Sequence, residues 1–328
     1  MISCVKKKRR GHVSRPRLSG KVAAEPSEGA SWSKKEREMD RYIDFTDCRR
    51  DFYKGYRGAN GHKISVIYNG ERYMLKFPSF YQGKMTNSHV CEYIGCHIFE
   101  SLGIPAQSTL LGIYRDRPVV ACKDFETGNK RLLEFAMLKN SIITCPSGGY
   151  ETEVADITET IEKQKIYPVQ KLKEYFWDMY ITDALIGNFD RHNGNWGLLT
   201  DSVSSTAEPA PVYDCGSSLC ARQTEETMKE ILKSPEEIRR RVYIFPTSAI
   251  KSGQKKTNYF EYISSLENPD CTAALKRIYP RLDIEKLRKI IDDTPCLSKT
   301  ERDFYKEILE QRKEKILDFA MESIRERH

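Results

Sequence analysis

Residues 187–199 read GNFDRHNGNWGLL. Within six positions the chain sets Asp190, Arg191, His192, Asn193 and Asn195, an acid, two bases and two amides. Their neighbours look destined for an interior. Upstream, Leu172, Phe176, Met179 and Ile186 recur at helical spacing through Val169 to Ile186, which predicts a buried helix delivering the chain to Gly187. Downstream, Trp196 is most simply core. The polar cluster is therefore a loop held by apolar structure on both sides.

Asp190 and Asn195 stand five apart, the separation of a D-x-x-x-x-N loop in which the aspartate faces an acceptor hydroxyl and the asparagine binds metal. Nineteen residues beyond Asn195, APVYDCGSSL predicts an apolar strand ending in Asp214 and followed by Gly216, which resembles the turn that presents a second metal-binding carboxylate. One amide oxygen and one carboxylate suffice for Mg²⁺, because phosphates and waters complete its octahedron. Asp190 then orients the hydroxyl and takes its proton. His192 reads as a brace for the loop rather than a base, and Arg191 as the partner of a carboxylate.

Nearer the amino terminus, Lys63 to Tyr68 and Glu71 to Phe77 alternate around Asn69-Gly70, which predicts a β-hairpin. Gly55, Gly58 and Gly61 recur just before it, a loop whose backbone N–H groups can approach phosphate. Lys76, between Leu75 and Phe77, needs a partner if buried. SHVCEYIGCHIFESLGIPAQ predicts a helix capped by Ser88, closed by Gly103 and Pro105, with Glu92 in its first turn as the candidate partner. STLLGIYRDRPVVACKDF reads as two strands about an Arg115–Arg117 turn, ending at Cys122 to Phe125; in a kinase reading the backbone there, with Cys122, Lys123 and Asp124, would meet the adenine. Glycine loop, hairpin lysine and helix glutamate, in that order, resemble the parts that hold ATP in protein kinases.

Together GANGHK, YMLKFP, CEYIGCHIFESLGIP, GNFDRHNGNWGLL and YDCGSSL resemble the HipA-like serine/threonine kinases, especially their compact CtkA-type branch, from about Tyr42 onward. The resemblance implies an α+β, two-lobed protein-kinase-like fold, with a small β-rich lobe over 39–125 and a mainly helical lobe over 126–328. It implies Asp190 as the catalytic aspartate, Asn195 and Asp214 as metal ligands, Lys76 as the ATP lysine with Glu92 beside it, and Gly58, Ala59, Asn60, Gly61, His62 and Lys63 as the phosphate-facing loop. ATP and Mg²⁺ would be used, a protein hydroxyl phosphorylated, and autophosphorylation and an antitoxin partner come with the family. Two features differ from full-length HipA toxins: only about fifteen residues separate Met39 from Gly55, where those carry a further subdomain, and no serine lies between Gly55 and Lys63. The DRHxxN core also resembles phosphoinositide kinases, and a nucleotide-binding module without turnover is a third reading.

Composition narrows the setting. The 328 residues carry a net charge of +7, and residues 1–38 hold eleven Lys/Arg against four Asp/Glu, so the remainder balances. That segment, with its run Lys6 to Arg10, reads as a basic disordered tail and the one place for nucleic-acid binding. No run nears the ~18 apolar residues of a membrane span, and no signal-peptide pattern follows the start, so a cytoplasmic protein is expected. The ten cysteines form no CxxC and read as reduced, packed thiols. The carboxy-terminal part is mostly helical, with Leu282, Ile284, Leu287 and Ile291 on one apolar face and Phe304, Ile308, Ile316 and Phe319 in the last helices; Lys251 to Lys256 reads as a loop near substrate.

Overall fold

The structure is a computed structural model that describes residues 42–56, 63–144 and 147–327. Its first part is a six-stranded sheet in the order β1-β7-β8-β4-β3-β2. The strands are β1 (Ile43–Asp44), β2 (Arg49–Arg50), β3 (Lys63–Tyr68), β4 (Glu71–Lys76), β7 (Thr109–Tyr114) and β8 (Arg117–Lys123), with β5 (Phe80–Tyr81) and β6 (Lys84–Met85) forming a separate small hairpin. β3 and β4 pair antiparallel around Asn69 and Gly70, both at positive φ, as a two-residue turn matching the strand twist requires. Arg115 and Asp116 do the same between β7 and β8. Phe45, Val66, Leu75, Val119 and Ala121 fill the small core on one side of this sheet.

Helix α1 (Ser88–Ser101) packs on β7 and β8 and leads into the helical body. Its first helical residue is Ser88 and its cap position Asn87, without a side-chain capping bond. The Ser88 hydroxyl is used elsewhere, accepting from the Ser79 N–H at 3.0 Å, and Glu92 lies one residue further in than a Ser88 cap would place it, just past the first turn. Beyond β9 (Lys130–Glu134) come α2 (Phe135–Ile142), α3 (Val154–Lys163) and the central α4 (Val169–Ile186), followed by β10 (Gly197–Asp201) and β11 (Thr206–Pro209). β9, β10 and β11 form a second antiparallel sheet in the order β11-β10-β9.

Helix α4 is the axis of this body, and its ends match the apolar period read from sequence. It is buried along Leu172, Phe176, Met179 and Ile186, and truncation of one such leucine costs roughly 2–5 kcal/mol. Gly187, at φ 64°, stops it in the left-handed conformation a non-glycine residue would resist. The chain thus leaves a buried helix and enters β10 only ten residues later, fixing both ends of the polar loop.

Around α4 stand α5 (Glu225–Leu232), α6 (Pro235–Tyr243), α7 (Tyr259–Ser265), α8 (Pro269–Ile278), α9 (Ile284–Asp293), α10 (Lys299–Arg312) and, after a π-helical stretch Lys313–Asp318, α11 (Phe319–Glu326). A short hairpin of β12 (Lys251–Ser252) and β13 (Lys255–Lys256) projects between α6 and α7. Leu287, Ile291, Phe304, Ile308 and Ile316 are buried as the apolar pattern requires, whereas Phe319 is exposed, its ring tilted 5.5 Å from that of Phe260. The strand expected before Asp214 is a single bridge, Val212 to Ala106, since the neighbouring Pro211 has no N–H to extend a ladder. Every cysteine among the described residues is free. No helix among them is long and apolar enough to cross a membrane.

Candidate active site

The polar loop is built from its buried members outward. The Arg191 guanidinium, only 2% exposed, donates to Asp183 of α4 at 2.9 and 3.2 Å, to the Asn195 carbonyl at 2.8 Å, to the Tyr213 carbonyl, and to Cys215 Sγ at 3.4 Å. One planar cation therefore ties the end of α4, the loop and the approach to Asp214 together, a use for which arginine's fixed fork is suited. Asn188 adds a second tie. Its Nδ2 donates to Asp183 Oδ1 at 3.0 Å while its Oδ1 accepts the Asp190 N–H at 3.0 Å. Asn193 donates to the Gly149 and Glu151 carbonyls at 2.9 and 2.6 Å, and Trp196 stacks on Phe135 with centroids 3.9 Å apart. His192 braces the turn, its Nδ1 accepting the Gly194 N–H at 3.1 Å. Arg191, His192 and Trp196 thus take the structural parts their surroundings suggested.

Asn195 Nδ2 donates to the Asp190 carbonyl at 2.8 Å, which commits the amide nitrogen and leaves Oδ1 as the oxygen available to a cation. Asp190 is half-buried. Burial pushes its carboxyl above the ordinary aspartate range, Asp214 adds to the rise, and His192, Lys256 and Arg191 pull against it. Lys256, at the end of the β12–β13 hairpin, is in this way brought into electrostatic reach of Asp190.

Across the cleft, Lys76 ends β4 with its ammonium 3.1 Å from Glu92 Oε1 and 3.0 Å from Asp214 Oδ1. Glu92 is 1% exposed and its Oε2 accepts the Gly216 N–H at 2.8 Å. The glutamate thus holds both the lysine and the turn after Asp214. Asp214 has φ 59°, a left-handed conformation costly for a non-glycine residue and typical of positions where backbone strain serves a site. Burial would raise its carboxyl, but Lys76, Lys63 and Arg191 hold it down at about 2. Its side chain is nevertheless 40% exposed, open to a further ligand. Lys63 faces Lys76 across the β3–β4 ladder, and burial followed by that neighbouring ammonium lowers its proton affinity.

Gly58, Ala59, Asn60, Gly61 and His62 lie outside the described residues. At the end of β8, the Lys123 N–H donates to the Ser108 carbonyl at 2.8 Å and its own carbonyl accepts from Gln107 at 2.9 Å. The Asp124 N–H donates to Arg72 at 2.9 Å, and Cys122 is paired within the sheet. The Asp124 side chain meets Tyr56, Lys54 and Arg72, and Lys123 meets Glu71. These pairings consume most of the backbone groups expected to meet an adenine; the Asp124 carbonyl and the Phe125 N–H follow directly, and the Phe125 ring lies 5.6 Å from that of Tyr213. The residues sequence reasoning missed are Asp183 and Asn188; the signal was present as an acid inside the apolar run ITDALI.

A lysine held between a helix glutamate and a loop aspartate, opposite an aspartate–asparagine loop, is a phosphoryl-transfer arrangement. Residues 57–294 match the model of the HipA-like C-terminal domain. The chain belongs to the HipA-like family. Serine/threonine-protein kinase CtkA of Helicobacter pylori (strain J99) is 44% identical to it over 283 residues, 85% of this chain and 87% of that protein. The crystal structure of the Helicobacter pylori proinflammatory kinase CtkA matches with a TM-score of 0.83 at 43% identity, covering 87% of this chain and 98% of that one. HipA of Shewanella oneidensis MR-1, from a structure with HipB and operator DNA, matches with a TM-score of 0.53 at 15% identity over 90% of this chain and 76% of that one, a likeness of fold. The HipA-like chain is accordingly a two-lobed serine/threonine protein kinase, and the phosphoinositide reading of its DRHxxN core gives way to a protein acceptor.

Proposed function

We propose that this HipA-like kinase transfers the γ-phosphoryl group of ATP to a serine or threonine hydroxyl with Mg²⁺ as the metal. The observation that carries this reading is the Lys76 ammonium held at 3.1 and 3.0 Å by Glu92 and Asp214. Lys76 offsets phosphate charge, and Lys63 adds a second cation on the same face of the hairpin. The donor set fits a hard divalent cation: Asn195 offers an amide oxygen, and Asp214 a carboxylate kept ionised and partly open. Bound there, Mg²⁺ would neutralise charge on the phosphate oxygens.

Asp190 receives the acceptor. Its carboxylate orients the hydroxyl and takes the proton as the oxygen bonds to the γ-phosphorus and the bond to the β–γ bridging oxygen breaks, releasing ADP. Arg191 and Asn188 hold the backbone on which that carboxylate stands. The Asp124 carbonyl and Phe125 N–H, rather than the β8 backbone before them, serve the adenine. The test is transfer from γ-labelled ATP with Mg²⁺ to mixed proteins and to the kinase itself, beside the Asp190→Ala variant. Label that depends on both Mg²⁺ and Asp190 supports the reading, and label retained by the variant overturns it. Co-purification from the native host tests for an antitoxin-type partner.

A further inference from the structure

Next to Asp190 the surface is unlike a solvated one. The Arg222 guanidinium lies 4.6 Å from the Tyr81 ring centroid and 4.7 Å from that of Phe189, the residue immediately before Asp190. Phe245 continues the row, its ring 5.8 Å from Phe189. The Phe189 N–H donates to Ser217, on the segment running from Asp214 to Arg222, so the row lies along the path between the metal-binding and proton-accepting carboxylates. Phe80, Tyr81, Ile244 and Phe245 are 67, 43, 62 and 48% exposed. Single exposed apolar residues need no explanation, but a continuous row of them beside a site marks a place for a ligand.

The charges on this face point the same way. Lys251 and Lys256 are direct cross-strand partners in the β12–β13 hairpin, and like charges so placed repel. Neither they, nor Lys255, nor Arg222 forms an ion pair among the described residues. The carboxylate at the hairpin, Glu153, is taken up by the Gly253 and Gln254 N–H groups at 2.8 and 3.0 Å. Lys256 bears on Asp190 electrostatically, and the Arg222 guanidinium is held against the Tyr81 and Phe189 rings. Arg222 within the aromatic row and Lys256 toward Asp190 complement a segment that is both apolar and acidic.

We infer that Tyr81, Arg222, Phe189 and Phe245, with Lys256, form the docking surface for the protein acceptor, and that it selects a serine or threonine flanked by an apolar residue and by carboxylates. This rests on the reading that Asp190 receives the hydroxyl: a polypeptide presenting its hydroxyl there must lay the adjoining residues over Phe189. The apolar flank packs on the aromatic row, while its carboxylates meet Arg222 and Lys256. The surface thereby supplies the substrate choice that the nucleotide-binding residues cannot.

The experiment measures fluorescence anisotropy of three labelled peptides on the full chain: a serine flanked by leucine and three glutamates, a twin with lysines for the glutamates, and a twin with asparagine for the leucine. The first should bind at least tenfold more tightly than either twin. Arg222→Glu and Lys256→Glu should each weaken the acidic peptide and strengthen the lysine twin; two variants at separate sites keep the result readable if one misfolds. Equal affinity of wild type for the acidic and lysine peptides overturns the inference. So does an equal loss for both peptides in the variants with a lowered melting temperature, which makes the row a structural pin. Displacement of the acidic peptide by RNA as readily as by its unlabelled self also overturns it, making the face a general polyanion surface. Asp190-dependent transfer of label reads the proposed function separately, because binding order does not require turnover.

Discussion

Replacing Arg191 by methionine isolates the buried pin under the catalytic loop. Arg191 and Asp183 are each 2% exposed in their side chains and 2.9 Å apart, so the variant leaves a carboxylate in the core with Asn188 as its remaining neutral partner. Burial already pushes Asp183 upward against the pull of Arg191. Without the guanidinium the carboxyl takes a proton from solvent, and that escape sets a ceiling. At about 1.4 kcal/mol per pH unit above an ordinary aspartate near 3.9, the charge penalty is limited to roughly 4 kcal/mol at pH 7 and roughly 2 kcal/mol at pH 5.5. The ceiling agrees with the 3–5 kcal/mol typical of breaking one half of a buried pair. At about 2 °C per kcal/mol for a chain of this size, the melting temperature should fall by roughly 6–8 °C at pH 7 and by about half that at pH 5.5. Calorimetry at the two pH values measures it. Asp183→Asn added to Arg191→Met should restore most of the loss and remove its pH dependence, while transfer activity stays low because the Asn195 and Tyr213 carbonyls still lack their donor. Additive losses in the double variant, or a penalty independent of pH, would refute the reasoning.

Four further outcomes follow from the site. Because Asp190 sits above the ordinary aspartate range and must be ionised to accept a proton, kcat should fall as pH drops through that raised value; Lys256→Met, which removes a charge that lowers it, should move the acid limb to higher pH, as a pH–rate profile would record. Asp214 is held at about 2, so it contributes stability above an unfolded value near 3.8 that is lost as pH falls from there through 2, and urea titrations of Lys76→Met should show that acid dependence diminished. Glu92→Gln keeps an acceptor for the Gly216 N–H but loses the charge facing Lys76, and should lower kcat/KM for ATP about 10- to 100-fold, measured in coupled ADP-release assays. At Gly95 of α1 an added Cβ would stand 2.6 Å from the Cys215 Cβ, so Gly95→Ala should push the helix from the Asp214 turn and cost about 1–3 kcal/mol with a matching drop in activity; an unchanged melting curve would mean that the contact gives freely.

Which of these parts could be read from sequence follows from how local each one is. The hairpin turns at Asn69-Gly70 and Arg115-Asp116 depend on conformations of two adjacent residues, and α4 on a period repeated five times over, so both were legible within a residue. The spacing of Asp190 and Asn195 is as local, since one loop fixes it. Asp183 was not, because its meaning lies in Arg191 and, through it, in Tyr213 and Cys215, pairings that only the packed body brings together. Which backbone groups around Lys123 stay unpaired was not legible, because pairing with Arg72, Gln107 and Ser108 from elsewhere in the chain decides it.

The most telling relation in the site is likewise invisible in residue types. Asp190 and Asp214 are the same residue in one cleft, yet their proton affinities are driven apart. Asp214 is surrounded by Lys76, Lys63 and Arg191 and held at about 2, which suits the metal ligand proposed for it. Asp190, half-buried, is raised above the ordinary aspartate range by burial and by the negative charge of Asp214, against the pull of His192, Lys256 and Arg191. In the proposed mechanism each acid therefore helps define the other's role: the cations that keep Asp214 ionised for a metal leave its charge in place to tune Asp190 as the base. An exchange of the two environments would demand a different chemistry from the same two residues, which is why the assignment of roles rests on Lys76 and Lys63 as much as on the aspartates.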